Sequence, residues 1–323
     1  MTHSISSLRS PQRPGRRFWQ RVGLLLVGAS TVVLQFGNLP AWAGDPFRPQ
    51  NPSPTIGDGT EAAFYKMFRD GDYVEARAIL MAARGEDSDP LYHAMMASMA
   101  YLDQDWTTLL SRAQSTQQAA NALINGADPL RGHLYAAVGI FLEGAHHLRT
   151  VGVARGTPRA LSMLQQVFDH LDKAEEINAN DPELSLLKGF MDLLLAVNLP
   201  FANPETAIAR LDNYGAPDYV AQRGIAIGYR DLGQHDRALR AVDRALTAVN
   251  NAVPGEDNTN PELLYLKAQI LAGLQRYSDS QEYFAQALEY ADQLPNELAT
   301  RIEWEYCVVQ GTPVGTCSAN AGY

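Results

Sequence analysis

The stretch Arg223-Gly224-Ile225-Ala226-Ile227-Gly228-Tyr229-Arg230-Asp231-Leu232-Gly233-Gln234-His235-Asp236-Arg237-Ala238-Leu239-Arg240-Ala241-Val242-Asp243-Arg244-Ala245 decides the fold class. Apolar residues recur at three- and four-residue steps on both sides of Gly233, the pattern of two amphipathic helices joined by a tight turn. Within it, Ala226, Tyr229, Gly233, Ala238, Val242 and Ala245 follow one another at steps of 3, 4, 5, 4 and 3. Helix starts are announced by an acidic or amide residue directly before proline at Asp89-Pro90, Asp128-Pro129, Asp181-Pro182, Asn203-Pro204 and Asn260-Pro261. Asp or Asn can cap the free amides of a first turn, and proline in the next position forfeits no helical hydrogen bond. Glu183, Glu205 and Glu262 then fall in that first turn, where the helix dipole favours negative charge. With no run of period-two alternation over strand length, the chain is predicted to be all-α.

The steps of 3, 4, 5, 4 and 3 return at Ala268, Leu271, Gln275, Ser280, Phe284 and Ala287. Nearer the start, Phe64, Met67, Gly71, Ala76, Leu80 and Ala83 keep the register, with a bulky Phe64 in the first slot. A fourth, more degenerate copy runs through Ala97, Ala100, Gln104, Leu109, Ala113 and Thr116. The pattern resembles the tetratricopeptide repeat, a helix–turn–helix unit of about 34 residues. The stretch from Lys173 to Leu184 looks like the turn between two such repeats. The resemblance spans residues 57–295, with breaks between Gln117 and Arg159 and at Asn198–Pro204. It implies a right-handed α-solenoid of antiparallel helix pairs, about five or six repeats long. In that arrangement Ala226 and Ala238 let paired helices approach, Tyr229 fills the space between pairs, and Gly233 ends the first helix with positive φ.

Repeat proteins of this kind hold a peptide or partner segment in a concave groove lined by the first helix of each pair. Carried over position by position, the groove here comprises Leu186, Phe190 and Leu193; Arg223, Ile227 and Arg230; and Tyr265, Gln269 and Ala272. Each triplet advances by four and then three and so shares one helix face. Phe190, Arg223, Ile227, Arg230, Tyr265 and Gln269 are the predicted contact residues, suited to a peptide with an apolar anchor and an acidic group. Leu186, Phe190 and Leu193 also fit a plain core, and the two arginines also fit solvated charges.

Both flanks of the repeat domain (60–295) differ from it in kind. Residues 1–43 contain five arginines, no acidic residue, a short apolar run from Val22 to Phe36, and Ala41-Trp42-Ala43 before Gly44. This is the layout of a secretory signal peptide, with cleavage expected after Ala43. The pair Arg16-Arg17 leaves a twin-arginine route open. Residues 44–59, with four prolines and three glycines, read as an extended linker. Residues 296–323 read as a capping helix to about Tyr306 followed by a turn-rich loop between Cys307 and Cys317. In an oxidising compartment these two are expected to form a structural disulfide; a redox pair, against which the spacing speaks, and two free thiols are the alternatives.

The chain of 323 residues carries 26 basic and 36 acidic side chains. Loss of the five arginines of residues 1–43 would leave 21 against 36, a net charge of −15. Such an excess repels phosphate, so a nucleic-acid partner is not expected, nor is stable membrane insertion after cleavage. The sequence lacks nucleophile-elbow, zincin, phosphate-loop and dinucleotide fingerprints. Glu143 and His146, beside His147, match one half of a di-iron motif, but the second half is missing and no metal or cofactor is assigned. The expected role is a non-catalytic protein–protein scaffold or assembly factor, akin to exported bacterial repeat proteins. Its compartment would be the periplasm, or the thylakoid lumen in a cyanobacterial source. The alternative is a periplasmic small-molecule-binding component serving a transporter, with residues 117–159 enclosing a pocket lined by Phe141, His146 and His147.

Overall fold

The computed structural model describes residues 44–48, 56–198, 203–252 and 259–320. The predicted signal peptide and most of the acidic loop at 255–260 lie outside them. Among the described residues there are fourteen α-helices and no strand. In chain order they are α1 (Asp58–Tyr65), continued by a π turn at Lys66–Asp70, and α2 (Tyr73–Ala82); then α3 (Pro90–Leu102) and α4 (Trp106–Ile124). Next come α5 (Pro129–Val151) and α6 (Val153–Ile177), α7 (Pro182–Asn198) and α8 (Pro204–Tyr214), and α9 (Asp218–Asp231) and α10 (His235–Ala252). The last are α11 (Pro261–Gly273) and α12 (Tyr277–Leu288), then α13 (Asn296–Val309) and α14 (Val314–Asn320). Neighbours in sequence pack as pairs. No helix among the described residues is long and apolar enough to cross a membrane.

All five Asx-Pro pairs start a helix. The side chains of Asp89, Asp128, Asp181, Asn203 and Asn260 accept from the amides of Leu91, Arg131, Leu184, Glu205 and Leu263, at 2.8–3.1 Å. Each pair therefore satisfies one first-turn donor that the helix itself leaves open.

The recurring sequence slots share backbone conformation at the turns and burial on the helices. Between the helices of four pairs, Gly71, Gln104, Gly233 and Gln275 all have left-handed backbone, with φ of 68°, 57°, 75° and 61°. Ala226, Ala238, Val242 and Ala245 are fully buried, as are Ala97, Leu109, Ala113 and Thr116. Ala268, Ser280 and Ala287 are likewise fully enclosed, with Phe284 and Leu271 at 1% exposure. Ser280 takes the small slot that Ala238 fills in the other copy, and its hydroxyl donates to the Ala268 carbonyl at 2.8 Å, so the buried group is satisfied. Where the sequence period breaks, after Gln117, the pair α5–α6 is simply longer than its neighbours. Gly152, with φ 86°, makes the turn between them.

The row of pairs closes on its own beginning. Tyr73, at the start of α2, is buried with Leu264, Tyr265 and Phe284 of α11 and α12. The π turn packs against α9, and Asn260 Nδ2 donates to the Arg69 carbonyl at 2.9 Å. Within the predicted extended linker ahead of α1, Asp45, Phe47 and Ile56 are buried and Arg48 is held by ion pairs. The Phe47 ring meets Phe64 edge-on, with centroids 5.0 Å apart. At the other end, the Cys307–Cys317 disulfide ties α13 to α14.

A left-handed backbone costs a residue with a Cβ about 1–2 kcal/mol, and glycine escapes that cost. Gln104 and Gln275 are exposed, so their side chains contribute little packing. Gln104→Gly and Gln275→Gly are each expected to raise unfolding stability by about 0.5–1 kcal/mol, and Gly233→Ala to lower it by about 1 kcal/mol. Urea titration followed by circular dichroism measures all three.

Candidate partner groove and the buried carboxylates beside it

The six predicted groove residues lie on three helices, and the structure gathers some of them. On α7, Phe190 is half-buried and lies flat against the α9 backbone, so a Cβ placed on Gly224 would fall 1.8 Å from the ring. Ile227 is buried. Arg230 donates to Gln269 Oε1 at 2.5 Å and to Asp231 Oδ1 at 3.1 Å. Gln269 donates to the Tyr265 hydroxyl at 2.6 Å and to Glu305 Oε2 at 2.7 Å. Arg230, Tyr265 and Gln269 therefore form one polar network running over α9, α11 and α13. Arg223 stands apart from it: 8% exposed, it donates to both oxygens of Glu262 at 3.0 and 2.9 Å. That guanidinium serves an acid of its own chain.

Beside this face lie two clusters that have the same construction and went unrecognised in the sequence. Each is centred on the glutamate that follows an Asx-Pro helix start. Glu262 also accepts from the Tyr73 hydroxyl at 2.9 Å. Glu183, 1% exposed, accepts from the Tyr135 hydroxyl at 2.5 Å and from Arg48 at 3.1 Å, with Arg131 Nε 3.4 Å away. Arg48 grips Asp181 through two parallel bonds of 2.8 and 2.7 Å and reaches Asp45 at 2.7 Å. Arg131, 1% exposed, bridges to Asp89 at 3.1 and 3.2 Å. Burial raises the pKa of Glu183 against the pull of Arg131 and Arg48, and that of Glu262 against Arg223. Burial opposes the charge on Arg131, but Glu183 and Asp89 outweigh it and keep its pKa above the usual value. The third Asx-Pro-Glu copy behaves differently. Glu205 is exposed and pairs with Arg237 at 2.6 Å on the surface. The repeated motif was a visible signal; which copies are buried was not.

The histidines separate. His133 and His170 meet across α5 and α6 with their Nδ1 atoms 3.0 Å apart. Glu143 accepts from Gln117 at 3.1 Å and from Arg159 at 3.2 Å. No group of three His, Cys, Asp or Glu among the described residues could hold a metal ion. An apolar cleft of about 230 Å³ lies between α5, α6 and α7, lined among others by Ile140, Phe141, Leu161, Met163 and Leu194. Phe141 lines it, whereas His146 and His147 do not. Leu161 is 61% exposed at this site, with Val151 and Val153 also exposed nearby in sequence. No family model, curated protein or solved structure matches this chain.

Removing one partner from a buried ion cluster strands the other charges, so Arg131→Ala is expected to cost about 3–5 kcal/mol of unfolding free energy. Guanidinium denaturation monitored by tryptophan fluorescence checks it. The His133–His170 pair predicts a pH effect. Desolvation lowers both pKa values, helped by Lys173 at both and by His133 at His170, so the unfolded chain binds more protons as pH falls below about 6.5. Stability from this pair is therefore present above that range and lost below it. The His133→Gln, His170→Gln double variant should lose less melting temperature than wild type between pH 7.5 and 5.5.

Proposed function

We propose that the protein is a non-catalytic scaffold of the exported compartment, a right-handed tetratricopeptide-like solenoid that holds a peptide or partner segment. The seat is the face of α7, α9 and α11 that carries the half-buried Phe190, Arg230 and Gln269, with Ile227 buried beneath it. One observation supports this reading above the others: the neighbouring part of the same helix row already holds chain in this manner. There, residues 44–48 lie between α1 and the start of α7, with Phe47 as an apolar anchor against Phe64 and Arg48 as a charged one on Asp181 and Glu183. A partner segment would repeat that recognition further along the row, with an apolar side chain near Phe190 and a polar group competing for Arg230 and Gln269. Arg230 and Gln269 are half-buried and point their hydrogen-bonding groups at each other, so an acidic group can take the place of the amide oxygen.

The cleft bounded by Phe141 and Leu161 favours the second reading, a small-molecule binder, because it is apolar and partly open. Photo-crosslinkers placed at positions 230 and 269, with a control at exposed position 240 on α10, separate the two in native envelope extracts. A scaffold gives the same protein adduct from 230 and 269 and none from 240. A ligand carrier gives no groove adduct, and a medium-chain fatty acid then raises the melting temperature of wild type but not of Leu161→Asp.

A further inference from the structure

Glu61 is a carboxylate whose described surroundings hold too little positive charge. It is 3% exposed, near the start of α1. Two donors reach it among the described residues: the Tyr65 hydroxyl, 3.2 Å from Oε1, and the Gly44 nitrogen, 3.3 Å from Oε2. Burial raises its pKa against the two hydrogen bonds from Tyr65 and Gly44, and the charges of Asp58 and Asp45 add to the rise. Tyr219 of α9 adds a buried phenol without a hydrogen-bond partner, which senses both Tyr65 and Glu61, and Arg69 acts on the two tyrosines. A buried carboxylate facing two acids and two phenols calls for a cation.

Gly44 is held in place to supply one. Asp45 Oδ1 accepts from the Phe47 amide at 2.8 Å, closing a tight turn, and Phe47 is buried against Phe64 of α1. Arg48 then locks the segment to Asp181 and Glu183 of the α7 start. The fit at Gly44 itself is close, since a Cβ there would lie 3.0 Å from Glu61 Oε1. Gly44 is also the residue that becomes the amino terminus if residues 1–43 are removed after Ala43, as their composition predicts.

We infer that the buried Glu61 pocket is a receptor for the free α-ammonium of Gly44, so that proteolytic removal of residues 1–43 completes an ion pair and locks the N-terminal segment onto the helix row. This rests on the export reading for the cleavage step. In that step a peptidase hydrolyses the Ala43–Gly44 amide: one water is consumed, Ala43 leaves as a carboxylate, and Gly44 is left as an ammonium. The amide nitrogen offered Glu61 one neutral N–H; the ammonium offers three donors and a full charge. Tyr65 donates to the other oxygen, so the cleaved terminus satisfies both sides of the carboxylate.

The test compares chains spanning Gly44 to Tyr323 with a free amine, with an acetylated amine, or with Ala43 retained, each with Glu61 or Glu61→Gln. Acetylation and the extra alanine should each lower the melting temperature by about 4–6 °C when Glu61 is present and by under about 1 °C with Glu61→Gln. Equal losses in both backgrounds, or none in either, overturn the ion pair. Should Glu61→Gln fail to fold, the wild-type amine is read instead by its acylation rate at pH 7. A docked ammonium reacts about tenfold or more slowly than the same amine in urea, and equal rates overturn the proposal. Amino-terminal sequencing of the native protein tests the maturation step separately. A first residue of Gly44 supports it, and any other start overturns it without touching the in vitro result on Glu61.

Discussion

An ionised carboxylate inside a protein must find a cation or a strong donor, or its burial costs several kcal/mol. Glu183 and Glu262 impose that constraint on this chain. Both stand in the first turn of a helix, both are almost fully enclosed, and neither finds its charged partner on its own helix. Glu183 draws on Arg48, Arg131 and Tyr135; Glu262 draws on Arg223 and Tyr73. Partners as far as 189 residues away are thereby pulled to the starts of α7 and α11. Tyr73 of the N-terminal hairpin answers Glu262, and Arg48 of the segment before it answers Glu183, so each acid ties the beginning of the described chain to a later helix start.

That closure changes what the helix row can offer to others. A stack of pairs with a free concave face would present all three triplets of predicted groove residues to a partner. Here Arg223 and Tyr265 are buried by the chain itself, and Phe190 is pressed onto Gly224. What remains at the surface is a shorter strip around Arg230 and Gln269, continued by Glu305 of α13. The cleft between α5, α6 and α7 is chemically opposite, lined almost wholly by apolar side chains. The segment 44–48, with its apolar anchor and its arginine set into acids, is a turn of chain that the same molecule holds in cis.

Local features were legible to the residue. The Asx-Pro helix starts, the turn slots at Gly71, Gln104, Gly233 and Gln275, and the paired cysteines all depend on neighbours a few positions away. Capping, left-handed backbone and ring closure over ten residues are short-range matters that a linear reading can weigh. Between 44 and 59, proline and glycine content measures backbone preference. It carries no information on the pocket that Phe47 and Arg48 would meet. Glu183, Glu205 and Glu262 were indistinguishable as helix-dipole residues, yet two are buried and one is exposed.

From the amino-acid order alone came the all-helical class, the helix starts, the turn positions and the pairing of helices, because these rest on periodicity and on contacts within about one turn. Tertiary structure alone decided which carboxylates go inside, which arginines answer them, and which of the predicted groove residues stay at the surface. Those outcomes depend on distances between residues far apart in the chain, and a charge has no fixed role until the fold has set what surrounds it.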